Sequence, residues 1–294
     1  MRKSIGWLAT IVASALLSVS LVGSTVQASS NLSGQSIIVV SREAGSGTRG
    51  AFVELAQITD QYGDDNLTVE ADVLNTTGGV MQVVASNPAA IGYISLGSVN
   101  ATVKALTLDG VAASAQTVQA GQYPLARPFN LAWKKDQLTP LAMEFLTYVY
   151  SQEGQSLVEK SGYIGMGEQT KWQGRAVGSY AYQAQQVSGD LKIVGSTSLT
   201  PVIEKLAEHF EALNPGVKVN ITSNGSTAGL AAAIEGTADL GMASRELSAS
   251  EHEQLTGSAF ALDAIVVVVN PTQSLSDISL MQLREIYNGT KVEW

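Results

Sequence analysis

The chain has 294 residues, carries a formal charge of −9 and contains no cysteine. That length supplies ample core for one large unit or two lobes. Charged residues are few and aromatics fewer, which excludes a disordered chain and a basic nucleic-acid binder. An acidic chain can still bind an anion, because distant charges are screened within about 8–10 Å and local dipoles decide.

In chain order, residues 1–28 read as a secretory signal. Arg2 and Lys3 form a positive start, Ile5 to Val22 an apolar run, and Val26-Gln27-Ala28 a small-residue cleavage site before Ser29. A membrane anchor is the alternative, since the run approaches bilayer-spanning length; the flanks favour cleavage. Without cysteine there is no disulfide and no lipid attachment to a cysteine. The mature chain is therefore expected free in a periplasm or secreted.

Ser36 to Val40 reads as a strand, followed by a glycine-rich turn and a helix over Arg49 to Ile58. Met81 to Ala85 reads as helix, Ile91 to Ile94 as strand, and Leu138 to Lys160 as one helix. The stretch 174–189 is polar, rich in small residues and linker-like. Leu191 to Val194 is a strand, and Pro201 to Leu213 a helix with proline in its first turn. Val217 to Ile221 and Ala264 to Val269 are strands, with a helix over Leu230 to Glu235 between them. The alternation predicts an α/β fold with largely parallel sheets.

Three glycine-serine turns stand between a strand and a helix: Gly45-Ser46-Gly47-Thr48, Gly195-Ser196-Thr197-Ser198 and Gly225-Ser226-Thr227. Each offers unpaired N–H groups and hydroxyls at the positive end of a helix, which attracts anions. A single such turn is explained as well by ordinary N-capping. Three in one chain, with Arg42 and Arg245 beside them, point to an anion site, since a guanidinium pairs two oxygens of a tetrahedral anion at once. For Arg42 the competing reading is a surface ion pair with Glu43 or Glu246.

Other patterns are weaker. Gly45-x-Gly47-x-x-Gly50 matches a dinucleotide fingerprint, but an exported chain has little use for that cofactor. His209 and His252 lack ligand spacing, so no metal is expected. No serine elbow follows a strand, so no nucleophile-base pair of an exported hydrolase is found. Asp263 reads as structural.

At these turns the sequence resembles the phosphate-binding proteins of bacterial phosphate ABC transporters. The matching segments are Ser41 to Arg49, Ser86 to Tyr93, Tyr123 to Pro128, Gly195 to Ser198 and Asp239 to Leu247. The resemblance implies a two-lobed type II periplasmic-binding-protein fold with two hinge strands and phosphate in the cleft. It implies phosphate donors at Arg42, Ser46, Gly47, Thr48, Thr197, Ser198, Ser226 and Ser244, no cofactor, no catalysis, a monomer, and a membrane permease of an ABC importer as partner. Some relatives carry an aspartate where Ser244 stands, whose carboxylate would take the phosphate proton and reject sulfate. Here Glu43 or Glu246 are the stand-ins.

The matching segments come in exchanged order: 35 to about 166 match the family's later half, and about 190 to 294 its earlier half. A circular permutation is one reading, and a fragment of a tandem array the other. With hinges at Ala261 to Asn270 and Tyr123 to Trp133, 127–268 form a continuous lobe, and 30–126 with 269–294 a discontinuous one. A sensor, scavenger or secreted surface protein of the same fold remains the alternative to transport.

Overall fold

The computed structural model describes residues 32–294. The expected signal segment, 1–28, lies outside the described residues. The chain begins with β1 (Ile38–Arg42), α1 (Gly47–Leu55), β2 (Asp72–Leu74), α2 (Thr77–Ser86) and β3 (Ala90–Ser95). Short strands β4 (Lys104–Ala105) and β5 (Thr107–Leu108) and helix α3 (Ala115–Gln119) lead to β6 (Ala126–Lys134). Next come α4 (Pro140–Val149), α5 (Gln152–Lys160), β7 (Ile164–Gly165), β8 (Lys171–Trp172) and β9 (Arg175–Ala176). The remainder is β10 (Gly189–Gly195), α6 (Thr200–Leu213), β11 (Val217–Ser223), α7 (Ser226–Glu235), β12 (Leu240–Ala243), α8 (Ala249–Gln254), β13 (Leu255–Val269), β14 (Asp277–Ile278) and α9 (Leu280–Tyr287).

Local chemistry explains these choices. In α6, Pro201 sits in the first turn, where its missing N–H costs nothing. Val202, Ile203, Leu206, Ala207 and Phe210 then form the one buried stripe of that helix. In β13, Ala264 to Val269 are all buried, as a strand covered on both faces requires.

The strands run in the order β11-β10-β12-β6-β13-β3-β1-β2, with β4 and β7 also on β13. β1 is parallel to β2 and β3, and β10 is parallel to β11 and β12. β13, by contrast, runs antiparallel to β3, β4, β6 and β7, and β6 antiparallel to β12. In the large sheet the expected parallel order thus holds among the outer strands of each lobe and fails at the strands that cross between them, and the small β8–β9 pair is antiparallel.

Two main cores result. One gathers Phe52, Tyr93, Tyr287 and the end of β13, with Phe52 and Tyr93 stacked at 3.9 Å between ring centroids. The other gathers Phe129, Phe145, Phe210 and Phe260. β13 enters both. Its beginning pairs with β6, and its end, Ile265–Val269, pairs with β3. Phe260 and Ala261 pack in the second core, whereas Ala264 to Val269 pack in the first. The changeover falls just after Ala261, inside the expected hinge strand Ala261 to Asn270.

Two further expectations change. The single helix over Leu138 to Lys160 is broken into α4 and α5, because Ser151 caps α5 by accepting the Gly154 N–H at 3.2 Å. The linker-like stretch 174–189 is packed onto the second lobe. Tyr180 donates its hydroxyl to the Thr147 carbonyl at 2.9 Å, and the Tyr182 N–H donates to Glu153 at 2.9 Å. Its polar composition hides these aromatic anchors.

The two ends of the described chain meet. The Trp294 N–H donates to the Gln35 carbonyl at 3.0 Å, and the Ile37 N–H donates to the Val292 carbonyl at 2.8 Å. This is the closure that a chain with exchanged halves needs.

Candidate functional site

The three glycine-serine turns converge between the lobes, the first from one side and the other two from the opposite side. Arg42 closes β1, and its side chain is only 2% exposed. Its guanidinium donates to both carboxylate oxygens of Glu43, at 2.8 and 2.9 Å, and to the Leu74 and Asn75 carbonyls at 3.1 and 3.3 Å. Its Nη1 stands 3.5 Å from the Thr77 hydroxyl. The Arg42–Glu43 pair expected as a surface contact therefore exists but is largely buried, and it aims the guanidinium into the cleft. Behind it, the Tyr93 hydroxyl lies 2.8 Å from Ser41 Oγ and accepts the Arg42 N–H at 3.2 Å. Burial pushes this phenol up to about 12.

Ser46 caps α1, accepting the Arg49 N–H at 3.4 Å. Thr48 reaches across the cleft, its hydroxyl 2.8 Å from Ser198 Oγ. The Thr77 hydroxyl is 3.3 Å from that of Thr197 and 3.4 Å from that of Ser198. On the far side, Ser196 donates to Ser244 Oγ at 2.9 Å, and the Ser244 N–H donates to Ser226 Oγ at 3.1 Å. Gly47 packs directly on this pair, so that a Cβ there would stand 2.8 Å from Ser244 Oγ. Gly195 and Gly225 take φ of +145° and +98°, conformations that a side chain rarely adopts.

The helix starts differ in how they are capped. Among the described residues, the seven α-helices other than α6 and α7 are each capped by a serine or threonine side chain. α6 and α7, which point at the cleft, have no side-chain cap. A helix start carries partial positive charge, and at α7 the Thr227 N–H already donates across the cleft to the Gly45 carbonyl at 3.2 Å. With the guanidinium and the hydroxyls gathered beside it, the cleft presents a donor-rich set of groups suited to replacing the water around a small oxyanion.

Arg42, Gly47, Thr48, Thr197, Ser198, Ser226 and Ser244 are thus brought together, with Ser46 at the edge as the α1 cap. Two other residues stand elsewhere. Arg245 forms a two-pronged pair with Glu251 at 2.7 and 2.8 Å and serves α8. Glu246 is exposed. The remaining stand-in for a proton acceptor, Glu43, has both oxygens on Arg42.

Sequence reasoning missed Thr77, although Thr76-Thr77-Gly78 before a helix carries the same hydroxyl-glycine pattern as the recognised turns. It also missed Ser196 as a bridge to Ser244, and it left Arg127 without a role. Arg127 and Asp263 form a fully buried pair where β6 and β13 cross between the lobes, 2.9 Å apart. Burial lowers the guanidinium and raises the carboxyl from their ordinary values, and each partner's charge opposes the other's shift.

The model of the PBP superfamily domain matches residues 19–153 and 181–294. The Phosphate-binding protein PstS 2 of Streptococcus pneumoniae is 44% identical over 275 residues, covering 92% of this chain and 91% of that protein. The protein of the same name from Streptococcus agalactiae is 38% identical over 292 residues, covering 98% and 96%. The crystal structure of a phosphate-binding protein of a phosphate ABC transporter from Streptococcus pneumoniae superposes with a TM-score of 0.68 at 44% identity, over 88% of this chain and 98% of that one.

Proposed function

This chain belongs to the phosphate-binding proteins of the PBP superfamily, and from that premise we propose that it binds one inorganic phosphate between its lobes, outside the cytoplasm, and delivers it to the membrane permease of an ABC importer. The observation that carries the reading is the gathering of Thr197 and Ser198, just before α6, around the Thr77 hydroxyl, which stands 3.5 Å from Nη1 of the buried Arg42, while neither α6 nor α7 has a side-chain cap. Arg42, Thr48, Thr197, Ser198, Ser226 and Ser244 supply side-chain donors, Gly47 its N–H, and Ser46 holds the first turn of α1. Thr77 joins them. Arg42 supplies positive charge through Nη1, the guanidinium nitrogen beside Thr77, and the hydroxyls adjust as donor or acceptor to the protonation state of the anion. The protein acts by binding and closure rather than by catalysis; its relatives carry the names of binding proteins.

Calorimetry of dialysed mature protein with phosphate, sulfate and molybdate tests this. The expected result is one phosphate per chain. Absence of heat and of any thermal shift with all three anions would overturn the reading. Export through removal of residues 1–28 is checked by the mass of the protein recovered outside the cytoplasm.

A further inference from the structure

The buried pair in the crossing strands does more than join them. Arg127 and Asp263 face one another across the β6–β13 ladder. Their side chains are 1% and 0% exposed. Two guanidinium nitrogens of Arg127 donate to Asp263 Oδ2, at 3.1 and 2.9 Å. The third, Nη1, donates to the Ser244 carbonyl at 3.0 Å. On the other side, Asp263 Oδ1 accepts the Ser95 hydroxyl at 2.7 Å and the Leu96 N–H at 3.1 Å. A continuous buried relay therefore runs from the Ser244 turn of the second lobe, through both crossing strands, to the end of β3 in the first lobe.

Stability alone is a poor explanation for such a pair. Two charges out of water are costly, and apolar residues of similar volume often serve the fold as well. The guanidinium also has a fork that a lysine lacks, and here each prong has a separate task. One side grips Asp263, and the other fixes the carbonyl of the residue whose N–H and hydroxyl meet Ser226, Ser196 and Gly47. A shift of that carbonyl would turn the Ser244 peptide and displace its hydroxyl from the cleft.

We propose that Arg127 and Asp263 are positioning residues for oxyanion binding: the pair holds Ser244 in its binding orientation and sets that turn in register with Ser95 and Leu96 of the opposite lobe. The proposal rests on the phosphate-binding reading for its functional consequence, and on the hydrogen bonds above for its structural content.

The test uses the whole mature chain and three variants: Arg127→Lys, Asp263→Asn, and the volume-matched double replacement of Arg127→Met with Asp263→Leu. Thermal unfolding is measured beside phosphate affinity. The double variant, which leaves no unpaired charge, is expected to fold and to bind phosphate at least 30-fold more weakly. Arg127→Lys, which keeps the charge but cannot hold both partners, should also weaken binding. Adding Ser244→Ala to the double variant should cost little more, because both changes act through one residue. Amide exchange over residues 243–246 without ligand supplies a second readout, expected to rise in both the double variant and Arg127→Lys. Wild-type affinity in a folded double variant, losses that add with Ser244→Ala, or unchanged exchange would overturn the proposal. Wild-type protein that binds no phosphate would remove the functional reading instead, and the exchange result would then decide the positioning role alone.

Discussion

Replacing Gly47 by alanine separates closure from folding. Gly47 opens α1, and its φ lies outside the left-handed region, so an alanine fits the backbone and is a better helix former by up to about 1 kcal/mol. The added methyl has no room across the cleft. It would stand 2.9 Å from Ser226 Cβ and 2.8 Å from Ser244 Oγ, and closer still to Ser226 Oγ. Carbon atoms pack at about 3.5–4.0 Å, so the lobes would stop roughly 0.6–1.1 Å short of this arrangement. The Thr48–Ser198 contact, 2.8 Å here, would then open to a length at which little remains of a hydrogen bond. Hydrogen bonds to a charged ligand are worth about 1.5–3 kcal/mol each. Losing two of the bridging donors costs about 3–6 kcal/mol, or roughly 10²- to 10⁴-fold in affinity. Calorimetry with phosphate and thermal unfolding without it make the assay. The expected outcome is an unliganded unfolding temperature equal to or slightly above that of the wild type, with binding lost. Wild-type affinity would refute a closed, Gly47-sealed binding state. A strong fall in unliganded stability would show that the contact is part of the fold instead.

Arg42→Ala should weaken phosphate binding by roughly 2–5 kcal/mol, because a desolvated dianion loses its counter-charge. Arg49→Ala should change affinity far less in the same calorimetric series, since that guanidinium is spent on the Arg42 carbonyl at 3.0 Å and on Asp65 at 2.7 Å. Thr77→Val keeps shape and removes one hydroxyl; the expected loss is about 1 kcal/mol, close to fivefold, with stability little changed. Tyr93 is held neutral in the fold up to about 12, against an ordinary value near 10. Its contribution is fully present below pH 10 and is lost as pH rises from 10 to 12, when the unfolded chain ionises first. Alkaline unfolding followed by circular dichroism should thus show a shallower loss over that window in Tyr93→Phe, and an unchanged slope would count against it.

The strands and turns nearest the cleft are legible because their signals are local. Ile-Val-Val in β1 and the valine run of β13 announce buried strands, and a glycine-serine turn between strand and helix marks an anion-facing helix end. What a turn alone cannot disclose is which serines are spent as caps. Ser46 and Ser226 look alike in sequence, yet only the first caps its helix. Arg127 and Asp263 were opaque for another reason: they stand 136 positions apart, and a buried partner at that separation leaves no periodicity to read. The break between α4 and α5 was legible in principle, since Ser151 and Gly154 form a capping pattern inside the apolar run. The anchoring of 174–189 was not, because two tyrosines in a polar stretch do not show which carbonyl or carboxylate receives them.

The 15 residues of β13 are shared property of the two lobes. Neither core can melt by itself without stripping a central strand from the other: the first would lose its pairing with β3, and the second its pairing with β6. Bending at the crossing can reorient the lobes while leaving both ladders intact, so opening and unfolding are mechanically distinct events on one piece of backbone. Such a chain is expected to unfold in one cooperative step despite its two cores, with its slowest-exchanging amides in this strand rather than at either lobe's periphery.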